Sequence, residues 1–188
     1  EAEIAPVTIK SRKGETVIGK DQAPFQVNIA KIPTLKPAFR KDGTVTAANS
    51  SSISDGAAAL VLMRAAEAER RGLPALARIV GHAGHAQEPA LFTSAPVGAI
   101  RKLLEQTGWH SDSVDLFEIN EAFAVVPMIA LRDLGLSHAR VNVHGGACAL
   151  GHPIGASGAR ILVTLIHALR RHGLKRGIAS LCIGGGEA

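Results

Sequence analysis

Aromatic residues are scarce in this sequence: they make up 3% of its 188 residues, with no tyrosine and one tryptophan. Proteins that bind single-stranded nucleic acids stack bases on aromatic side chains, so this composition argues against a nucleic-acid partner. Cysteines are also few, and the two present, Cys148 and Cys182, lie far apart. A disulfide scaffold would need more of them, so we expect free thiols in a reducing compartment, the cytoplasm.

Long hydrophobic runs are missing as well. The longest, such as residues 122–131, fall short of the roughly 20 apolar residues that span a bilayer, so we expect no membrane association. No charged segment followed by an apolar one opens the chain, which gives secretion no support. The first residue is Glu1 and the opening reads as mid-protein sequence, so we expect a fragment or a processed product.

The positive charge is unevenly distributed. The formal net charge is +5, and residues 1–41 hold eight basic and four acidic side chains, a net +4. One interpretation is a solvated basic lobe. The other is attraction for a small polyanion such as a phosphorylated cofactor.

From residue 54 onward, short apolar runs alternate with helical patterns, which predicts an α/β fold. We expect a five-stranded mixed sheet covered by helices on both faces. The sheet and its helices would form one domain in residues 51–188, preceded by a Lys- and Pro-rich N-terminal arm in residues 1–50. Pro127 predicts a kink or an early helix start at that point. The predicted strands are 57–63, 77–83, 116–119, 141–143 and 178–183, and the predicted helices are 65–71, 97–107, 121–134 and 156–171.

The glycine-rich segment 145–160 is the most informative part of the chain. Its glycines allow tight turns and close approach of the backbone to a ligand. His152 lies within it and can exchange a proton near neutral pH. A histidine in a loop is commonly only a hydrogen-bonded structural group, but the flanking glycines and Pro153 favour a functional role.

Two further candidates follow predicted strands. Asn120, with Glu121 after it, could be an ordinary helix N-cap with a first-turn acid, or its amide could hold a water or an oxyanion. Cys182 could be a small buried hydrophobe, or a reactive thiol beside the amides of the three glycines that follow it. Because the carboxyl ends of strands meet at one edge of a sheet, we expect these groups to share a site with His152. His82 and His85 have no third ligand nearby, so we expect no metal.

Three ordered motifs resemble the C-terminal signatures of the thiolase family. They are Asn120-Glu121-Ala122-Phe123, Gly151-His152-Pro153-Ile154-Gly155 and Cys182-Ile183-Gly184-Gly185-Gly186. Residues 42–59 are similar to the thiolase segment that links the loop domain to the C-terminal half. The resemblance covers essentially the whole chain and is closest to the acetyl-CoA acetyltransferases.

The resemblance implies a reversible Claisen condensation of two acetyl-CoA molecules to acetoacetyl-CoA, with coenzyme A thioesters as substrates and no other cofactor. It implies that His152 activates a nucleophilic cysteine and that Cys182 is the general acid and base. It also implies a homodimer or homotetramer. The remaining implied positions are Asn120 and Gly184 in the oxyanion holes, Phe123 in the pocket floor, and Ser51, Ala47 and Phe39 in contact with coenzyme A.

The chain departs from the family pattern in two respects. The thiolase C-terminal domain, residues 51–188, lacks the final strand expected after residues 186–188. The acyl-accepting cysteine of thiolases lies in the N-terminal half, and neither Cys148 nor Cys182 matches it. We therefore expect the 188-residue chain alone to be inactive and to need the N-terminal half as a partner. Three alternatives stay open: a longer-chain 3-ketoacyl-CoA thiolase of β-oxidation, a non-catalytic half that binds coenzyme A, and a dinucleotide-binding module, although the spacing G-x-x-x-G-x-x-G lacks the expected G-x-G-x-x-G.

Overall fold

A pair of parallel strands carries the core of the protein. The computed structural model describes residues 2–188. Strand β3 (Leu116–Ile119) pairs in parallel with β4 (Gly177–Ser180), with Phe117 opposite Ile178. All four residues of β3 are buried, Glu118 included, and the predicted strand 116–119 is confirmed.

Helices cover both faces of this strand pair, as the sequence predicts. Phe117 and Ile119 on β3 pack with residues of helices α3 (Ala95–Thr107) and α4 (Val125–Leu134). Leu116 points to the other face and packs against helix α6 (Ser157–His172). The alternation of side chains along a strand explains why neighbouring residues of β3 face different helices.

The remaining elements are short. An antiparallel hairpin is formed by β1 (Val7–Ser11) and β2 (Gly14–Ile18). The short helices are α1 (Ala23–Gln26), α2 (Ala65–Arg70) and α5 (Ala147–Leu150). Single 3-10 segments occupy Ile29–Thr34, Pro89–Ser94, Ser111–Ser113 and His138–Arg140.

Helix ends follow the chemistry of the sequence. Helices α3 and α6 end at Gly108 (φ 65°) and Gly173 (φ 67°), whose left-handed conformation suits glycine. Helix α4 begins at Val125, two residues before Pro127. Because amides in the first turn have no acceptor within the helix, proline is tolerated there, so the predicted start near Pro127 is found, and the predicted first residue, 121, is wrong by four positions.

The five-stranded sheet is not confirmed, because residues 2–188 contain only two two-stranded sheets. The predicted strands 57–63 and 77–83 are extended coil, and side chains such as Val61 (88% exposed) and Ile79 (69% exposed) lie in solvent. A continuous apolar run predicts burial but not a pairing partner, and no neighbouring strand pairs with these segments in the part of the chain described.

The predicted strand 141–143 is reduced to one parallel bridge between Val141 and Phe117. Asn142 adopts a left-handed conformation (φ 50°), which ends the ladder after a single residue. Strand β4 likewise stops at Ser180 instead of Ile183, where its pairing with β3 ends. The arm assigned to residues 1–50 is not confirmed either; residues 7–18 of it form the exposed hairpin.

Among residues 2–188, no helix combines the length and the apolar character needed to cross a membrane.

Candidate active site

The side chains of Asn120 and His152 meet at the carboxyl end of β3. Asn120 follows the strand directly, is 1% exposed, and its backbone N–H donates to the carbonyl of Ser180 on β4 (2.9 Å). Its Nδ2 lies 3.4 Å from His152 Nε2. The predicted proximity of these two residues is therefore present in the structure, although they are 32 positions apart in sequence.

Asn120 and Glu121 do not cap a helix. Helix α4 begins at Val125 and its N-cap is Ala124, so the N-cap interpretation of this pair is wrong. The Oδ1 atom of Asn120 is buried and accepts no hydrogen bond from residues 2–188. A buried amide oxygen without a donor is costly, which is typical of a group arranged to hold a ligand or a water molecule.

His152 is fixed through its other ring nitrogen. Nδ1 lies 2.6 Å from Ser157 Oγ, and the Ser157 hydroxyl donates to the carbonyl of Pro153 (3.0 Å). Because this hydroxyl has one proton and donates it to the carbonyl of Pro153, it accepts a hydrogen bond from Nδ1–H of His152. The neutral imidazole then carries its lone pair on Nε2, the nitrogen that faces Asn120.

The environment of His152 favours the neutral, basic form. Burial lowers the pKa of His152 below its ordinary value, and the positive charge of Arg160 lowers it further. The backbone N–H of His152 donates to the carbonyl of Ser52 (2.9 Å), which ties the histidine loop to residues 50–54. A neutral imidazole with a free Nε2 lone pair can accept a proton from a nucleophile.

Cys182 lies just past the end of β4 and is 8% exposed. Burial raises the pKa of its thiol, so the neutral thiol is the resting form. It packs with the core cluster that includes Val97 and Ile119, and within residues 2–188 no hydrogen bond joins its Sγ to Asn120 or His152. The structure thus brings Asn120 and His152 into contact, and places Cys182 at the same edge of the strand pair.

The space around the Cα atom of Gly184 is open. A Cβ placed on it would meet nothing within 4 Å, and its backbone N–H donates to no acceptor in the described part of the chain. By contrast, Gly186 (φ 90°) lies against the backbone of Gln87, and a Cβ there would overlap the Gln87 carbonyl. An exposed amide next to the Cys182 turn is suited to bind a negatively charged oxygen.

Two of the positions expected to contact coenzyme A, Ser51 and Phe39, contact the residues that follow Asn120 and Glu121. The Ser51 hydroxyl donates to the carbonyl of Ala122 (3.0 Å), so its proton is used within the protein. Phe39 is 74% exposed and forms an edge-to-face contact with Phe123, with ring centroids 6.1 Å apart. Ala47 is exposed on the same segment that leads to Ser51.

Sequence reasoning missed Ser157 and the role of Glu121. The signal for Ser157 was its position five residues after His152 at the start of a helix. Glu121 accepts hydrogen bonds from Asn142 Nδ2 (3.1 Å) and from the backbone N–H of Cys148 (3.0 Å). A groove of about 440 Å³ lies next to the site between residues 54–58 and the start of α6, and its lining does not include Asn120, His152 or Cys182. Residues 2–188 contain no group of three His, Cys, Asp or Glu side chains able to hold a metal ion.

The chain matches two models of one known family. The family described as thiolase, C-terminal domain, matches residues 73–188, and thiolase, N-terminal domain, matches residues 1–66. The acetyl-CoA acetyltransferase of Pseudomonas aeruginosa is 51% identical over 187 residues, covering 98% of this chain and 48% of that protein. The cytosolic acetyl-CoA acetyltransferase of Mus musculus is 52% identical and covers 99% of this chain and 48% of its own length.

Solved structures agree. The crystal structure of the Bacillus anthracis acetyl-CoA acetyltransferase superposes with a TM-score of 0.93 at 50% identity, covering 97% of this chain and 47% of that one. Human mitochondrial 3-ketoacyl-CoA thiolase gives a TM-score of 0.87 at 37% identity, covering 97% of this chain and 47% of that one. The chain spans about half the length of the relatives it matches. The family resemblance of the three motifs is confirmed, and the chain belongs to the thiolase family.

Proposed function

We propose that these 188 residues act as the C-terminal half of an acetyl-CoA C-acetyltransferase, which condenses two acetyl-CoA molecules to acetoacetyl-CoA and catalyses the reverse thiolysis. The contact between Asn120 and His152 at the end of β3 carries this proposal. The relatives at about 50% identity are named acetyl-CoA acetyltransferases, which favours the acetyl substrate. The family match favours acyl transfer over the dinucleotide-binding alternative.

In the first step a cysteine outside these residues attacks the thioester carbonyl of acetyl-CoA. His152 Nε2 takes the thiol proton of that cysteine and gives it to the departing coenzyme A thiolate. While Nε2 of His152 carries the thiol proton, it donates a hydrogen bond to the thioester oxygen together with a water molecule held by Asn120, and the Gly184 amide stabilises the oxygen of the acyl-enzyme. No other cofactor takes part.

In the second step the Cys182 thiolate removes an α-proton from a second acetyl-CoA. The carbanion attacks the acetyl group on the nucleophilic cysteine, the C–S bond of the acyl-enzyme breaks, the proton held by Cys182 passes to the released cysteine sulfur, and acetoacetyl-CoA leaves. In thiolysis the direction is reversed and Cys182 returns the proton. The raised pKa of Cys182 suits thiolysis, because the neutral thiol is the form that protonates the carbanion. In condensation Cys182 first gives its proton to solvent, and a thiolate of raised pKa is the stronger base.

Coenzyme A would lie along Phe39, Ala47 and Ser51, with Phe123 in the pocket floor. The basic residues of the segment 1–41 would face its phosphates. The N-terminal half of the same protein supplies the nucleophile, so we propose that the 188-residue chain alone is inactive. We also propose a cytoplasmic location and assembly as a homodimer or homotetramer.

The proposal is tested with a fusion in which the N-terminal half of the Pseudomonas aeruginosa relative precedes residue 1. We expect thiolysis of acetoacetyl-CoA by the fusion and none by the 188-residue chain. Asn120→Ala should lower kcat by about 10²- to 10³-fold, as removal of an oxyanion-hole group does. Glu69→Gln, on the exposed helix α2, is the control and should leave kcat unchanged.

A folded fusion that binds coenzyme A but performs no thiolysis would support the alternative of a non-catalytic half. A human mitochondrial 3-ketoacyl-CoA thiolase lies among the structural neighbours, so the same fusion is assayed with 3-ketoacyl-CoA substrates of increasing chain length. Faster turnover of the longer substrates would favour the β-oxidation alternative.

A further inference from the structure

The loop that carries Asn120 and the loop that carries His152 are joined by a carboxylate. Glu121 follows Asn120 directly, and its Oε2 accepts a hydrogen bond from the backbone N–H of Cys148 (3.0 Å). Cys148 belongs to the short helix α5, which ends two residues before His152. The contact between the side chains of Asn120 and His152 is a second link between the same two loops.

The second oxygen of Glu121 is fixed by Asn142. Asn142 Nδ2 donates to Glu121 Oε1 (3.1 Å) and to the carbonyl of Ile119 (2.8 Å), and Asn142 Oδ1 accepts from the Ile119 backbone N–H (2.8 Å). The Asn142 amide thus takes the place of a neighbouring strand at the end of β3. Glu121 is held between this amide and helix α5, with both carboxylate oxygens paired.

The glycine at position 146 is explained by the same carboxylate. Gly146 is buried, and a Cβ on it would overlap the carboxylate of Glu121. The same carboxylate acts on the neighbouring thiol: burial raises the pKa of Cys148 to about 12, and the charge of Glu121 contributes to the rise.

We propose that Glu121 is a positioning residue, whose carboxylate locks the Asn120 loop to the His152 loop and so fixes the distance between their side chains. Glu121 itself does not touch the reacting atoms. This inference rests on the proposed function for its catalytic consequence, but the structural link can be tested without it. Displacing catalytic groups by about 1 Å can cost about 10²-fold in rate, so such a lock is of direct value to the reaction.

The test uses nuclear magnetic resonance of the 188-residue chain. Glu121→Gln keeps the shape of the side chain but removes its charge, and places an amide donor opposite one of the two existing donors. We expect the Cys148 amide to exchange with solvent at least about tenfold faster. We also expect the titration midpoint of His152 to move up towards the ordinary pKa of histidine, about 6.5, as the ring becomes better solvated.

Glu69→Gln is the matched control, since it makes the same change at an exposed position on helix α2; both signals should stay as in the unmodified chain. If Glu121→Gln does not fold, Gly146→Ala replaces it, because its methyl group displaces the carboxylate while leaving Glu121 in place. The inference is overturned if the folded variant leaves the Cys148 exchange rate and the His152 midpoint unchanged.

The kinetic readout uses the active fusion. Glu121→Gln should lower kcat by about 10- to 100-fold and change KM by less than about threefold, because it disturbs catalytic geometry more than substrate binding. A loss confined to KM would contradict a positioning role. If the unmodified fusion has no thiolase activity, the proposed function fails, while the exchange and titration results still decide whether Glu121 locks the two loops.

Discussion

Asn120 Nδ2 faces Nε2 of His152 at 3.4 Å, while the opposite ring nitrogen of His152 is held by Ser157. The amide follows a buried strand, and the imidazole lies in a glycine-rich turn before a long helix. Two loops that are distant in sequence thus present one donor and one proton acceptor to the same space. Our predictions concern the groups that maintain this arrangement.

Ser157→Ala removes the hydroxyl that accepts a hydrogen bond from Nδ1–H of His152. We expect the neutral ring to lose its preference for the Nδ1–H form, since the Ser157 hydroxyl is the acceptor that holds the proton on Nδ1. The nitrogen chemical shifts of His152 report this directly, and kcat of the fusion should fall by about tenfold or more. Ser113→Ala is the control, because Ser113 Oγ bonds only the local carbonyl of His110. An unchanged tautomer ratio in Ser157→Ala would contradict the assignment.

Gly184 and Gly186 should respond differently to a methyl group, although they lie in one turn. Gly186→Ala should lower the free energy of unfolding by at least about 1–2 kcal/mol, because φ is 90° and the new Cβ would overlap Gln87. Gly184→Ala should stay within about 0.5 kcal/mol, since the space around it is open. Urea denaturation of the two variants measures both values. Equal destabilisation would show that the turn is not packed against residues 87–89 as described.

Glu118 should make the protein less stable as the pH rises. Burial raises its pKa from 4.5 to about 7 in the folded state. Between these values the unfolded chain releases a proton that the folded chain retains, so stability is highest below about pH 4.5 and falls until about pH 7. The full effect is on the order of 3 kcal/mol.

Glu118→Gln should remove this dependence, and the difference between the two unfolding free energies, measured from about pH 4 to about pH 8, isolates it. Other groups titrate in the same range, His152 among them, but they are present in both proteins and cancel in the difference. A constant difference across this range would show that Glu118 is ionised in the folded protein.

The sequence predicted the elements whose pattern depends on their own residues. Strand β3 and helices α3 and α6 were recognised because apolar periodicity and glycine stops lie within each segment. Residues 57–63 and 77–83 were wrongly predicted as strands because pairing depends on a neighbour that an apolar run does not specify. The left-handed backbone of Asn142 could not be predicted either, because it is supported by hydrogen bonds to Ile119, a residue distant in sequence.

In the candidate site, too, features that depend on a residue's own segment were predicted, and features that depend on contacts between segments were not. His152, Asn120 and Cys182 were singled out because glycines and strand ends surround them in the sequence. The roles of Ser157 and Glu121 depend on which groups the fold places within hydrogen-bond distance, and the partner of Glu121, Cys148, lies 27 positions away. Motifs therefore identified the groups suited to chemistry, but not the residues that orient them.

The central claim is that Cys182 acts as an acid and base while another cysteine carries the acetyl group. The most direct test is the intact mass of the 188-residue chain and of the fusion after incubation with acetyl-CoA. We expect no stable adduct on the chain alone, and one acetyl group on the fusion at a cysteine of its N-terminal half. A stable acetyl group on Cys182 would contradict the account.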